Sequence, residues 1–330
     1  MKQLPNLQRV RGQALLVVLL GMSVALTVVL SIVARTVTDI GISKTQDESI
    51  RAFNAAEAGI ENAIIGSANS GETYTLPESG AEYTSVVSTK TSTALSDRTY
   101  EFDFPTNLNA GESASFWFVK HITNPDTDEE KITCQGSPQC PKMPTWITIC
   151  WGDYGTSSSS NTTPAIEAEF YYNSDTANPL IWDTNSDFST IRIARTVSDP
   201  YSSRTPSSNF ETTSPASQCQ YTYMTKKYAF ARRIFLSSGA GANDAKINIP
   251  NWISMGRGSL IIARVRVFFN TDKAQPVGII TQTSLPTQGI LYESTGVSGT
   301  TYRKLDMFQG YAEPPFAFDS TIFSGSGIAK

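Results

Sequence analysis

The segment that decides the fold is residues 14–34, ALLVVLLGMSVALTVVLSIVA, which contains 21 consecutive residues without a charged side chain. A helix of this length spans about 32 Å, close to the thickness of the hydrocarbon core of a bilayer. The segment begins at Ala14, ends at Ala34 and includes Leu20 and Gly21 as part of its membrane core. It exceeds the apolar core of a secretory signal peptide, about 7–15 residues, and no A-x-A cleavage pattern follows it. A membrane-spanning helix anchored in lipid is therefore predicted.

The charges around this segment predict its orientation. Three basic residues and no acidic residue stand before it: Lys2, Arg9 and Arg11. Positive charge keeps the flanking end in the cytoplasm. We therefore expect a single-pass protein whose bulk is extracytoplasmic or at the cell surface.

The helix is predicted to continue beyond the membrane. No proline occurs between Gln13 and Gly71, so one helix of roughly 80 Å can run from residue 13 to about residue 65 or 66. Large apolar residues recur at helical spacing and form a stripe: Val37, Ile40, Ile50, Phe53, Ile60 and Ile64. This stripe is expected to pack on the outer domain or on neighbouring subunits.

Two stretches, RGQALLVVLL at 11–20 and RAFNAAEAGIENA at 51–63, resemble the type IV pilin-like superfamily, specifically minor pilins with a PilX-type N-terminal segment. The resemblance covers residues 1 to about 66. It implies that residues 1–12 are a leader removed by a prepilin peptidase between Gly12 and Gln13. It also implies that the helix packs among other pilin-like subunits. The helix-packing motif comprises Phe53, Ala55, Ala56, Glu57 and Gly59.

The chain departs from the major pilins at two positions. Val17 stands where they carry a glutamate, and Gln13 stands where they usually begin with phenylalanine. A glutamate inside a membrane is costly unless it is paired, and in pilins its partner is thought to be the neighbouring subunit's N-terminus. A subunit without it cannot make that contact, which suits a tip or initiating position.

From residue 66 onward, alternating apolar and polar residues predominate. Strands are predicted at 83–90, 98–104, 115–120, 145–151, 166–172, 190–195, 221–236, 260–269, 289–295 and 301–309, with 296–299 as a hairpin loop. Residues 67–330 are therefore predicted to form a large, mostly antiparallel, sandwich-like β domain, and the fold class is α+β.

Two segments rich in Ser, Thr and Pro, 156–164 and 198–217, are predicted to be exposed loops. The second could divide the domain into lobes at 70–197 and 218–330. A single globular region with a cleft there is the preferred interpretation.

The four cysteines, Cys134, Cys140, Cys150 and Cys219, all follow the membrane segment. Four cysteines allow three pairings, and the spacing favours Cys134 with Cys140 and Cys150 with Cys219 in an oxidising compartment. A metal site is disfavoured because there is no C-x2-C pair and the one histidine lies 13 residues before Cys134. Four unpaired buried thiols are the remaining alternative.

Composition excludes several functions. The formal net charge of −4 argues against a nucleic-acid-binding protein. His121 has no catalytic partner nearby in sequence, and the chain has no nucleophile elbow, phosphate-binding loop or H-E-x-x-H motif. No enzymatic activity, metal or cofactor is expected, although carboxylate pairs that form only in the fold stay open.

Weaker candidates each have a simpler explanation. Residues 183–187 offer alternating oxygen ligands but lack the glycine and glutamate of an EF-hand, and 126–130 resembles a solvated acidic loop. Asn161 begins a glycosylation sequon. Four cations interleaved with aromatic residues suit an edge strand better than a base-stacking surface: Lys226, Lys227, Arg232 and Arg233. The five tryptophans suit a β core better than a sugar platform: Trp117, Trp146, Trp151, Trp182 and Trp252.

The sequence thus predicts a membrane-anchored minor pilin-like protein that assembles, primes or decorates the tip of a type IV pilus-like filament. Its expected partners are membrane lipid, pilin-like subunits and a prepilin peptidase, and a surface ligand or a host or cell polymer is left open as a further partner. The alternatives are a single-span surface adhesin or ligand-binding protein that does not polymerise, and an anchored secreted hydrolase.

Overall fold

A computed structural model describes residues 13–123, 130–133, 143–174, 190–208, 210–213, 219–236, 245–247, 249, 251–252, 257–258 and 260–313. The chain divides into two compact units. The first contains the described part of Met1–Val87 together with Tyr292–Met307, and the second contains the described parts of Ser88–Leu291 and Phe308–Lys330.

One helix, α1, runs without interruption over Gln13–Ile64, 52 residues and about 78 Å at the standard rise. Its end is set by Gly66, whose φ of 71° is a left-handed conformation that glycine adopts without steric cost. The amide of Gly66 donates to the carbonyl of Ala63, and the amide of Ser67 donates to that of Asn62 at 2.8 Å. This pair of bonds is the Schellman motif that closes many helices. The predicted continuous helix is confirmed.

The remaining elements are short strands and one helical turn, α2 (Thr205–Ser208). The strands are β1 (Thr73–Thr75), β2 (Glu82–Lys90), β3 (Thr93–Ala94), β4 (Tyr100–Asp103), β5 (Ser113–Trp117), β6 (Lys120–Thr123), β7 (Glu130–Thr133), β8 (Trp146–Asp153), β9 (Ala165–Asn173), β10 (Ile191–Asp199), β11 (Glu211–Thr212), β12 (Tyr228–Phe235), β13 (Ala245–Lys246), β14 (Asn251–Trp252), β15 (Arg257–Gly258), β16 (Leu260–Phe268), β17 (Val277–Thr281), β18 (Gly289–Ser298) and β19 (Thr301–Gly310).

The first unit combines α1 with most of a four-stranded sheet of order β1-β2-β18-β19. Strands β2, β18 and β19 carry the chain between the two units. The predicted hairpin loop 296–299 is shorter than expected, because β18 continues to Ser298 and only Gly299 and Thr300 separate it from β19. Gly299 has a φ of 58°, which such a tight turn requires.

The second unit contains a five-stranded sheet of order β11-β10-β9-β16-β5 and a six-stranded sheet of order β13-β12-β8-β17-β4-β3. The long pairs are antiparallel, and the two-residue pairs β10·β11 and β12·β13 are parallel. The prediction of a large, mostly antiparallel β region is confirmed. Residues 198–217 do not separate two lobes, because strands from 70–197 pair with strands from 218–330 in both sheets.

A hydrophobic cluster fills the second unit and draws side chains from both of its larger sheets. Phe116 and Phe170 belong to the five-stranded sheet, and Ile149 and Ile279 belong to the six-stranded sheet; all four are at most 1% exposed. Burying an aromatic or branched aliphatic side chain of this size contributes up to about 1.5–3 kcal/mol to folding. Side chains of both larger sheets therefore form one core.

Three predicted segments differ in detail. Residues 115–120 contribute to two strands, because β5 ends at Trp117 and β6 begins at Lys120. Only the second half of 221–236 is a strand, since Tyr221–Lys227 precede β12 as turns. Strand β10 extends to Asp199, which lies in the segment predicted to be an exposed loop.

The reason for this last difference is a buried ion pair. Asp199 is fully buried and accepts two hydrogen bonds from the guanidinium of Arg204, at 2.7 and 2.8 Å. The same guanidinium donates to the carbonyls of Asn161 and Thr163 and lies 3.8 Å from the ring centre of Phe269. One arginine thus anchors both segments that composition alone predicts to be free loops, because a buried charge needs several partners.

Candidate functional site: two faces of the N-terminal helix

The C-terminal half of α1 buries a face made of small residues. The side chains at helical spacing on this face are at most 9% exposed: Ala52, Ala55, Ala56, Ile60 and Ala63, with Gly59 among them. Small side chains allow the backbone of a helix to approach a sheet closely. Ala55, Ala56 and Gly59 of the predicted packing motif therefore lie on the docked face.

Glycines on both sides make the closest approach. A Cβ added at Gly296 of β18 would overlap the carbonyl oxygen of Ala52 and lie 2.5 Å from the amide nitrogen of Ala56. A Cβ at Gly59 would collide with Ser294 and lie 2.8–2.9 Å from Tyr83 and Ser85. Helix backbone and strand backbone are therefore in direct contact.

Polar side chains fix the register of this contact. The hydroxyl of Ser85 donates to the carbonyl of Gly59 at 2.8 Å, and the amide of Asn62 donates to the hydroxyl of Tyr83 at 2.9 Å. At the other end, the guanidinium of Arg303 donates to the hydroxyl of Ser49 at 2.6 and 2.9 Å. The amide of Thr300 donates to the carboxylate of Glu48 at 3.3 Å. About four turns of helix are held between these contacts, from residue 48 to residue 62.

The large apolar residues lie on the other face. Ile50 is 56% exposed and Phe53 is 45% exposed, and Val37, Ile40 and Ile64 are exposed as well. Of the predicted stripe only Ile60 is buried, so the expectation that the stripe docks on this chain's own domain is wrong for the other five. The sheet selects the small residues because only they permit backbone contact. Glu57 of the packing motif is exposed too.

A groove accompanies this exposed face. It has a volume of about 470 Å³, and its walls come from α1 and β19, with Ile50, Phe53 and Leu305 as its apolar part. Arg303 and Lys304 line the same groove, and the Lys304 ammonium lies 2.6 Å from the carboxylate of Glu293. An apolar patch surrounded by polar side chains is an arrangement common at protein interfaces.

The N-terminal half of α1 is mostly apolar, and every position whose burial the structure describes is exposed. From Leu15 to Val33, large side chains are 52–67% exposed, Val17 among them at 66%, and the surroundings of Gly21 are open. Ser23 and Thr27 donate to carbonyls three residues earlier, so their hydroxyls are satisfied within the helix. The helix is long and apolar enough to cross a membrane. Gly12 and the side chains of Gln13 and Ala14 lie outside the described residues.

A disulfide joins Cys150 to Cys219 across 69 residues, with their Cα atoms 5.9 Å apart. This agrees with the pairing that spacing favours for these two cysteines. The predicted Cys134–Cys140 pair lies outside the described residues, as do 126–129 of the acidic cluster, the loop 183–187 and Trp182. In the described part of the chain, no three acidic, histidine or cysteine side chains cluster as metal ligands would.

Several of the weaker candidates are accounted for by packing. Arg232 pairs with Glu211, and Arg233 lies 4.2 Å from the ring centre of Trp146, so neither is an open base-stacking cation. Trp151 and Trp117 are buried, as a core role predicts. The ring of His121 stacks on Tyr311 at 3.7 Å, and burial lowers its pKa to about 4. Asn161 is exposed and its carbonyl accepts from Arg204.

Sequence reasoning missed the strand side of the helix contact. Ser85 and Ser294 are at most 1% exposed, and Gly296 follows on the same face of β18. A signal was available in β18, which places two small residues, Ser294 and Gly296, at alternate positions where larger side chains usually fill a core. It also missed a pair of acidic residues on β4, Glu101 and Asp103, although their spacing places them on one face of the strand.

No family model, curated protein or solved structure matches this chain.

Proposed function

We propose that the chain is a membrane-anchored minor pilin-like protein that helps to assemble, prime or decorate the tip of a type IV pilus-like filament. In this proposal residues 14–34 lie in the membrane before assembly, with the N-terminus cytoplasmic, and the β-rich region lies outside. The two larger sheets of the second unit would pack face to face as a sandwich. No reaction is assigned to it.

The observation that supports this proposal best is that the two halves of α1 make different contacts. The second half docks through alanines and glycine, whereas the large apolar residues on its other face, such as Ile50 and Phe53, are 56% and 45% exposed. A plain anchor needs only the apolar first half. A helix that also presents Ile50 and Phe53 beyond the membrane has apolar area for a partner, and exposed apolar patches mark association sites.

Val17 supports an end position in the filament. Its side chain is 66% exposed on a helix surface that carries no acidic residue between Leu15 and Ala34. A subunit placed in the interior of a filament would need the charged contact that the pilin resemblance implies. A tip or initiating subunit has no neighbour ahead of it to contact, so the apolar valine is tolerated there.

The experiment is site-specific photocrosslinking in the native membrane, with a benzophenone amino acid introduced at Phe53. Ile193 on β10 is the matched control, because it is 46% exposed, nearly the same as Phe53. We expect adducts to pilin-like subunits from Phe53 and none from Ile193. Ala55, which is fully buried, would report crosslinks only within the chain.

Two outcomes would contradict the proposal. If Phe53 and Ile193 crosslink equally, or if neither yields an adduct with another pilin-like subunit, the exposed face of α1 has no specific neighbour. The single-span adhesin that does not polymerise would then be the better account. Binding of the chain to a surface polymer without any filament would point in the same direction.

A further inference from the structure

A pocket in the second unit lies beside β4. Its volume is about 240 Å³, and its lining includes Glu101, Asp103 and Thr225. Glu101 and Asp103 project to the same side because they are two residues apart on a strand, while Phe102 between them belongs to the core. Two carboxylates are thus placed side by side at one pocket.

Glu101 is the more deeply buried member of the pair, at 2% exposure. Its Oε1 accepts a hydrogen bond from the amide of Thr225 at 2.9 Å. Its Oε2 is buried and accepts no hydrogen bond from the described part of the chain. A buried carboxylate oxygen without a hydrogen-bond partner is costly, and a bound cation or donor is one way to satisfy it.

Asp103 is half-buried and so is the more accessible of the two. Its Oδ1 accepts from the hydroxyl of Tyr228 at 2.5 Å. Burial raises the pKa of Asp103; the charge of Glu101 acts in the same direction, and Tyr228 and Lys226 oppose it. An arriving cation would therefore meet Asp103 first, with the charge of Glu101 behind it.

The disulfide holds one wall of the pocket in place. Cys219 is tied to Cys150 on β8, and the segment from Cys219 to the start of β12 supplies both donors, Thr225 and Tyr228. Cys150, Cys219 and Tyr228 are all at most 1% exposed and belong to one cluster. The carboxylates are thus preorganised by a covalently fastened segment rather than by a free loop.

The chemistry of the pocket favours an organic cation over a metal ion. Among the described residues no third acidic, histidine or cysteine side chain joins the two carboxylates, whereas calcium takes six to eight oxygens. The volume exceeds that of a bare ion, and Pro105 and Leu291 provide apolar wall beside the charges. An apolar wall leading to paired carboxylates suits a basic side chain with an aliphatic stem.

We propose that this pocket binds a basic side chain of a partner polypeptide, arginine in preference to lysine, through Asp103 and Glu101. A planar guanidinium can engage two acceptor oxygens at once, which an ammonium does less well. Lys90 also lines the pocket but makes no ion pair with a described residue. Lys90 therefore competes with the incoming cation for the two carboxylates but does not neutralise them by itself.

The test uses the full chain purified in detergent and titrated by calorimetry at constant ionic strength. The probes are acetyl-arginine amide, acetyl-lysine amide, agmatine and calcium chloride. We expect saturable binding of acetyl-arginine amide, several-fold tighter than that of acetyl-lysine amide. In Glu101→Gln, which keeps the acceptor for Thr225 but loses the charge, binding should weaken by about tenfold or more, equivalent to 1.4 kcal/mol.

Glu112→Gln is the matched control, because Glu112 is an exposed carboxylate that also accepts a backbone hydrogen bond, at 2.7 Å from Asn109. The Glu112→Gln variant should bind acetyl-arginine amide as tightly as the parent chain does. Asp103→Asn provides a second variant should Glu101→Gln not fold, and circular dichroism verifies folding in each case. Lys90→Met should bind acetyl-arginine amide more tightly and unfold at the same temperature as the parent.

Several results would overturn the proposal. These are no saturable heat with acetyl-arginine amide, equal binding in Glu101→Gln or Asp103→Asn, and saturation by calcium alone. If agmatine bound ten times more tightly than acetyl-arginine amide, the ligand would be a free amine and not a side chain of a polypeptide. A fall in the unfolding temperature of Lys90→Met without added cation would show that Lys90 itself neutralises the two carboxylates.

Discussion

At the scale of single residues, Gly296 determines how close the helix can lie to its sheet. It has no left-handed backbone conformation, so a substitution there tests space alone. Its missing Cβ leaves room for the backbone of α1 at Ala52 and Ala56. Unlike a flexible side chain, that backbone cannot turn aside.

Gly296→Ala is therefore expected to lower the free energy of unfolding by about 2–3 kcal/mol, as overpacked cores do. Gly310→Ala is the control, because a Cβ there would meet only the ring of Phe308 at an ordinary 3.6 Å. Chemical denaturation of the full chain in detergent measures both. Equal stability of the two variants would show that the helix does not touch the sheet at Gly296.

His121 gives the chain a pH dependence that can be isolated. Burial lowers its pKa to about 4, whereas in the unfolded chain it titrates near 6.5. Between those values the unfolded chain takes up a proton that the folded chain does not. The free energy of unfolding should therefore fall as the pH drops from about 6.5 to about 4, and this contribution should be constant below that.

His121→Phe should remove this component, because phenylalanine can keep the stacking on Tyr311 but cannot titrate. The stability difference between variant and parent should grow by up to about 3 kcal/mol as the pH is lowered, and by less if the partly exposed ring is screened. Urea denaturation at a series of pH values measures it. The chain has a single histidine, so no other imidazole contributes. If the stability difference between His121→Phe and the parent is the same at every pH, the buried neutral ring is contradicted.

At the scale of elements, the disulfide fastens the segment after Cys219 to β8. Replacing both Cys150 and Cys219 by alanine releases a cross-link that spans 69 residues. The chain-entropy model predicts a loss of about 4 kcal/mol for a loop of this length. Denaturation of the double variant and its parent measures the change, and unchanged stability would contradict a covalent role for the bond.

Digestion of the parent chain without reduction, followed by mass spectrometry, tests the second predicted disulfide. Peptides should remain linked through Cys150 and Cys219, and the spacing predicts a second link between Cys134 and Cys140. Alkylation of all four thiols in folded protein from its native source would contradict both bridges.

The elements also show what sequence patterns can and cannot predict. The length of α1 follows from the lack of proline and the glycine at position 66, and the alternation in 260–269 predicts the strand β16. It does not predict that β16 is buried on both faces, with Arg264 only 5% exposed. The docked face of α1 was not predictable from hydrophobic size, because backbone contact with β18 selects alanine and glycine over Ile50 and Phe53. The pocket at Glu101 could not be predicted from the sequence, because Thr225 and Tyr228 are far from β4 along the chain and approach it only in the folded protein.

At the scale of the whole molecule, the chain carries more apolar surface than water tolerates. Every described large apolar side chain from Leu15 to Ile50 is more than half exposed. A bilayer could cover the first part of this surface, but Ile40, Ile42 and Ile50 lie beyond the apolar run that ends at Ala34. We therefore expect a second covering surface, which the proposed filament would provide.

The most direct test of this account is to determine the N-terminal residue and copy number of the chain in purified, sheared filaments. The account predicts that the chain begins at Gln13 there and occurs in few copies confined to one filament end by immunogold labelling. It also predicts that Gly12→Val leaves the chain in the membrane with Met1 intact. A chain that retains Met1 in wild-type cells and is absent from every filament would contradict the central claim.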